Sequence, residues 1–146
     1  MFIVSVFYSK LIKIGLDVDD IGIITPYVQQ VRTIRSIILK SIVGTDIRLP
    51  KIGTVEEFQG QERKVILVST VRTMEKELCK DKRYSLGFIK CAKRMNVAIS
   101  RARAALVIFG SPKLLSLDEN WKALIEHCQK NKCSTNCDNS HMSDHE

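Results

Sequence analysis

Residues Val65 to Thr70 read Val-Ile-Leu-Val-Ser-Thr, with no charged side chain in the run. A strand with one wet face alternates apolar and polar positions, so a short uniform run predicts a strand covered on both faces. Strands of that kind belong to parallel sheets, whose crossover helices cover both sides. The rest of the chain fits this frame. Ile21 to Ile24 and Ala105 to Phe109 are further short apolar runs, and a strand is expected near Ile52 to Val55. Helical spacing fills the intervals: Val31, Ile34, Ile38 and Ile42 up to Gly44, then a helix over about 90 to 103, then Pro112 to Leu117 and Trp121 to Lys130. Thr25-Pro26 reads as an N-cap followed by proline at the first helical position. Phe7, Leu11 and Ile14, with Gly15 as a stop, read as an opening helix over about 4 to 14, while Phe2 to Phe7 also fits a strand. Strands alternating with helices, without tight hairpin signals, predict a three-layer α/β domain around a mostly parallel sheet.

The chain has 146 residues, which accommodates one domain and excludes a two-domain motor. Lys and Arg exceed Asp and Glu by seven, so a polyanion such as nucleic acid is a plausible partner through phosphate neutralisation. The five cysteines are odd in number and lack framework spacing, and Cys79, Cys91 and Cys128 lie in or beside regular segments. Reduced thiols are expected. Met1 to Phe7 is apolar but has no basic leader or cleavage site, and Lys10 and Lys13 soon interrupt it, so neither signal peptide nor membrane span is expected. From Asn131 onward the chain is polar and should fray. The expected organisation is a lead-in helix over 1–19 from a longer parent, a domain over 20–130 and a disordered tail over 131–146. Cys133, Cys137, His141 and His145 recur every four residues in that tail. Such a tail offers little apolar support for a closed zinc shell, so no metal site is expected there.

Three segments carry candidate chemistry. Gly53-Thr54-Val55-Glu56-Glu57-Phe58-Gln59-Gly60-Gln61-Glu62 joins two strands, at a sheet edge where open parallel sheets bind ligands. A glycine there admits close backbone approach, a threonine can hold a phosphate oxygen, and a carboxylate accepts from sugar hydroxyls. A glycine turn with solvated acids explains the same residues. Arg94-Met95-Asn96-Val97-Ala98-Ile99-Ser100-Arg101-Ala102-Arg103 follows Lys90 and Lys93. On a helix, Arg94, Ala98 and Arg101 would share one face and Asn96, Ser100 and Arg103 another. The arginine fork suits a transferring phosphoryl group, although a solvated basic face is the plainer account. Thr25-Pro26-Tyr27-Val28-Gln29-Gln30 is a strand-to-helix junction whose amides and ring could meet an anionic or planar ligand, or merely cap the helix.

Taken in order, Ile-Thr-Pro-Tyr at 24–27, Gly-Thr-Val-Glu-Glu-Phe-Gln-Gly-Gln-Glu at 53–62 and Arg-Met-Asn-Val-Ala-Ile-Ser-Arg-Ala-Arg at 94–103 resemble the motifs of superfamily 1 helicases. The resemblance covers about residues 20 to 130 and is nearest to the up-frameshift group, in its Armitage or Moloney-leukemia-virus-ten branch. Ser69-Thr70-Val71-Arg72-Thr73, Leu86-Gly87-Phe88 and the Trp121 helix add to it. It implies a second RecA-like domain that closes on a first, with ATP and Mg²⁺ between them and single-stranded RNA across both. By that resemblance Glu62 binds the ATP ribose, Gly60 passes close to the nucleotide, Arg101 is the finger on the γ-phosphate, and Tyr27 and Gln30 lie near the nucleotide. Thr54, Arg72 and Asn96 contact RNA or couple it to ATP.

Some relatives carry arginine directly after the glutamine of the first motif, where this chain has Val31, which leaves Arg32 or Arg35 as substitutes. No Gly-x-x-x-x-Gly-Lys-Thr/Ser loop and no Asp-Glu pair after an apolar strand is present, so ATP hydrolysis by the chain alone is not expected. The branch implies 5′-to-3′ movement and cytoplasmic work with ribonucleoprotein or RNA-silencing proteins, away from membranes. Two other classes remain open at this point: a non-catalytic RNA- or protein-binding module, and a DNA-directed relative. A dinucleotide enzyme is disfavoured because no Gly-x-Gly-x-x-Gly follows a strand.

Overall fold

The computed structural model describes residues 2–70 and 91–135. Within them lie helices α1 (Phe2–Lys13), α2 (Val28–Ile42), α3 (Ala92–Ile99), α4 (Pro112–Leu115) and α5 (Glu119–Lys130), and strands β1 (Ile21–Ile24), β2 (Lys51–Gly53), β3 (Arg63–Ser69) and β4 (Ala102–Phe109). Short 3-10 turns occupy Val18–Asp20 and Glu56–Phe58. Among the described residues the four strands form one sheet in the order β2-β1-β3-β4, and each neighbouring pair is parallel.

The strand alternation divides the core in two. Ile21, Ile23, Val65 and Leu67, with Val107 and Phe109, face Val4 and Tyr8 of α1 and Val31, Ile34 and Ile38 of α2. Phe7 meets Phe109 edge-on there, with ring centroids 5.7 Å apart and planes at 71°. Ile24, Ile66 and Val68, with Leu106 and Ile108, face Phe58, Met95 and Ala98 of α3, Leu115 of α4 and Trp121 of α5. Helices therefore cover both faces, and every residue from Val65 to Thr70 is buried, as the apolar run predicts. Helix α1 packs into the first cluster through Val4 and Tyr8. Residues 131–135 are exposed, and the rest of the expected tail lies outside the described residues. No helix among the described residues is long and apolar enough to cross a membrane.

Two local readings are corrected. Thr25 is not the cap of α2: the N-cap is Tyr27, without a side-chain cap bond, and the helix begins at Val28. Proline disfavours helical geometry in the residue before it, and Thr25 instead extends the ladder by donating its N–H to the Gly53 carbonyl at 3.1 Å. The helix expected over 90 to 103 ends at Ile99, and β4 begins at Ala102. Arg101 and Arg103 therefore do not share helical faces with Arg94 and Asn96. Tertiary pairing overrides the local pattern here, because Arg63 donates its backbone N–H to the Arg101 carbonyl at 3.0 Å and starts the β3–β4 ladder.

The connection from β2 to β3 crosses β1 on the second face, and Phe58 closes it down. A Cβ built on Gly22 of β1 would stand 2.7 Å from Ile66 Cδ1 and 2.8 Å from Phe58 Cε1. Both side chains are fully buried, so neither has room to withdraw. Gly22 thus lets the crossover lie flat on the sheet. Gly22→Ala is expected to destabilise the chain by about 1–3 kcal/mol through overpacking, read as a lower denaturant midpoint in chemical unfolding. Trimming Phe58 to Leu in that background should recover part of the loss, and an unshifted midpoint for Gly22→Ala would contradict this packing.

Candidate functional site

Because all strands run the same way, the two ends of the sheet are chemically distinct. At the carboxyl end, β1 leads into Thr25, β2 into Thr54 and β3 into Thr70. Apart from Ser5 on α1, the buried polar side chains among the described residues all gather there: Thr25, Gln30, Thr54, Ser69 and Thr70. Burial requires partners. The Thr25 hydroxyl donates to Gln30 Oε1 at 3.1 Å, and the Thr70 hydroxyl donates to the Phe109 carbonyl at 3.1 Å. Tyr27 is half-buried at the same end, ahead of α2.

At the amino end the polar groups face outward. Glu62 and Arg101 each stand one residue ahead of their strands. The register pairs Arg63 with Ala102, so Glu62 and Arg101 stand at the same level of the sheet. Glu62 is exposed. Arg101 is half-buried: its Nη2 donates to Ser100 Oγ at 3.0 Å, while its Nε is buried with no hydrogen-bond partner. A buried guanidinium N–H without an acceptor is costly by about 1–3 kcal/mol and marks a place where an anion would be stabilised. Gly60, with φ of 71°, has open space where a Cβ would stand. Its left-handed backbone favours glycine, and the gap leaves the turn before Glu62 open to approach. Ion pairs of Lys64 with Asp20 at 2.6 Å and of Arg48 with Asp19 at 2.7 Å lie nearby and are solvent-exposed.

The structure thus sets Gly60, Glu62 and Arg101 at the amino end of the sheet and Tyr27, Gln30 and Thr54 at the other end, roughly 20 Å away by the rise of a seven-residue strand. Tyr27 and Gln30 do not join the cluster that the resemblance associates them with, and the Gln30 side chain is occupied by Thr25. Val31 is buried in the core, Arg32 is exposed along α2, and Arg35 Nη2 donates to the Ile52 carbonyl at 3.3 Å. Asn96 is exposed on α3, and Arg94 Nε pairs with Glu56 Oε1 at 2.8 Å, tying that helix to the crossover. Arg72 lies outside the described residues, as do Cys137, His141 and His145. Cys133 is exposed, with its thiol donating to the Asn131 carbonyl at 3.3 Å, and no cluster among the described residues could hold a metal ion. Sequence reasoning missed Arg63, which contacts both candidate residues through the backbone; its position directly after Glu62 was the available signal.

Residues 1–113 match the family model described as AAA domain, and the chain belongs to that family. It is 55% identical over 128 residues to "Probable RNA helicase armi" of Drosophila melanogaster, an alignment covering 88% of this chain and 10% of that protein. It is 50% identical over 119 residues to "RNA helicase Mov10l1" of Mus musculus, covering 82% and 10% respectively. Over 131 residues it is 35% identical to "Regulator of nonsense transcripts 1 homolog" of Neurospora crassa, covering 86% and 11%. Within the superfamily 1 helicases, the chain is a member of the up-frameshift group, in its Armitage and Moloney-leukemia-virus-ten branch. It spans about 10% of the length of the first two relatives.

The internal role of Gln30 can be checked directly. Gln30→Leu leaves the Thr25 hydroxyl buried without its acceptor, for an expected loss of about 1–2 kcal/mol. The double variant Thr25→Val/Gln30→Leu removes both polar partners and should regain most of that stability. Additive losses in urea denaturation would argue against a structural Thr25–Gln30 bond.

Proposed function

We propose that this chain is the second RecA-like half of an ATP-dependent RNA helicase, supplying an arginine finger and part of the RNA-binding surface. The single observation that carries the reading is the level placement of Glu62 and Arg101 at the amino end of adjacent parallel strands, with the Arg101 Nε buried and unpaired. ATP suits this edge in its chemistry. The Glu62 carboxylate can accept from ribose hydroxyls, the Gly60 turn leaves room for the nucleotide, and the Arg101 guanidinium can neutralise charge that develops on a transferring phosphoryl group.

The phosphates need a cradle and Mg²⁺ needs carboxylates, and the sequence has neither a Gly-x-x-x-x-Gly-Lys-Thr/Ser loop nor an Asp-Glu pair after an apolar strand. Both groups would be held by a first RecA-like domain, so the chain is inactive by itself. When bound, Mg²⁺ would neutralise charge on the β- and γ-phosphates. The carboxyl end, with Thr54 and the half-buried Tyr27, is the side assigned to single-stranded RNA, and Asn96 on α3 is assigned to the same path. Two relatives bear the name RNA helicase, which supports RNA over DNA. Work in the cytoplasm with ribonucleoprotein or RNA-silencing proteins belongs to this proposal on the strength of the branch alone.

Mixing the chain with a first RecA-like domain of the same branch should produce RNA-stimulated ATP hydrolysis that neither piece shows alone. Arg101→Ala should lower that rate by roughly 10³-fold or more without lowering the melting temperature of the chain. Hydrolysis by Arg101→Ala within tenfold of the parent would rule out the finger role.

A further inference from the structure

Arg63 follows Glu62 directly and opens β3, and its side chain is half-buried against its own chain. Its Cγ is the third-nearest atom, at 3.2 Å, to a Cβ built on Gly22, so its stem lies on the crossover face beside Phe58. Its Nη1 donates to the Glu62 carbonyl at 2.7 Å, and its backbone N–H donates to the Arg101 carbonyl at 3.0 Å. One residue therefore fixes the main chain at both members of the candidate nucleotide edge. Its Nε is buried and has no hydrogen-bond partner. The chain tolerates a buried N–H without an acceptor, although an unbranched apolar side chain would fill the same space without that cost.

We propose that Arg63 is a positioning residue for nucleotide binding: its guanidinium holds the Glu62 main chain, and so sets where the Glu62 carboxylate stands relative to Arg101. This inference rests on the nucleotide-edge reading above and deepens it. The side chain acts through Glu62 only, because the bond to Arg101 is made by the Arg63 backbone and survives any substitution of the side chain except proline. Arg63 therefore governs ribose recognition and leaves the chemistry at Arg101 untouched. This division gives the role a kinetic signature that a merely structural residue lacks.

The test is a double-mutant cycle in the complex of this chain with a first RecA-like domain, measuring kcat and KM for ATP in RNA-stimulated hydrolysis. Arg63→Met keeps the unbranched stem and removes both the Nη1 bond and the buried Nε. It is expected to raise KM about fivefold, the worth of one such hydrogen bond, with kcat within twofold of the parent. The melting temperature should not fall. Arg63→Lys, which keeps the charge and can still donate towards the Glu62 carbonyl, should recover part of the KM. Glu62→Ala should raise KM at least as far, and adding Arg63→Met to it should raise KM no further. Independent, additive effects of the two substitutions would overturn the positioning role. So would a normal KM for Arg63→Met beside a raised KM for Glu62→Ala. A normal KM for Glu62→Ala itself would instead remove the nucleotide-edge reading on which the proposal stands.

Discussion

The hydrogen bond from the Arg63 N–H to the Arg101 carbonyl opens the β3–β4 ladder, and the rest of the molecule is arranged around it. Two segments far apart in sequence meet there, each one residue before a strand. The ladder then runs through six register pairs, from Arg63 with Ala102 to Ser69 with Phe109. Helix α3 must end at Ile99 so that Ala102 can enter the sheet, and Ser100 closes the helix by donating its N–H to the Asn96 carbonyl at 3.1 Å. Two further helical residues would add two main-chain bonds at most. The sheet offers several, together with burial of Leu106 and Ile108 against the second core cluster.

That competition explains what the sequence discloses and what it hides. The strand at Ile21–Ile24 and the run after Arg63 are legible because uniform burial leaves no polar positions to confuse the period, and the outer helices are legible because each has one wet face. The three-layer parallel frame follows from these elements. The end of α3 is not legible: Arg94, Ala98 and Arg101 keep helical spacing past the point where the strand takes over. Thr25-Pro26 has the composition of a helix start, yet the proline holds Thr25 extended and the β1–β2 ladder claims its N–H. For the site, the motifs name Glu62 and Arg101, whereas their common level at the amino end and the placement of Tyr27 and Gln30 at the opposite end need the register and direction of every strand. Arg63 is not legible as a site residue, because a basic residue before an apolar run reads as a solvated strand end.

The two ends of the sheet also differ in how they meet the demand that buried polar groups find partners. At the carboxyl end the chain satisfies itself: Thr25 bonds Gln30, and Thr70 bonds the Phe109 carbonyl. Such internal bonds hold the strand ends rigid and leave Tyr27 and the exposed start of α2 as the accessible surface. At the amino end the chain does not satisfy itself. Both guanidinium Nε groups, of Arg63 and Arg101, are buried without acceptors.

The two orphaned donors are not equivalent, and the difference carries the final step. Arg63 opens a strand beneath the Phe58 crossover, where its contacts are with its own chain, so its deficit is fixed by the fold. Arg101 stands ahead of β4, half-buried, with one guanidinium nitrogen held by Ser100 and the Nε free. An anion brought against that edge removes its deficit, and the removed cost appears as attraction between this domain and whatever carries the anion. A ligand shifts a conformational equilibrium only by its differential affinity for the two states. On the proposed reading, the open state leaves Arg101 unpaired and the closed state pairs it with phosphate. Domain closure is then favoured most when the nucleotide carries the phosphate that Arg101 reaches, and that favour is lost when the phosphate leaves.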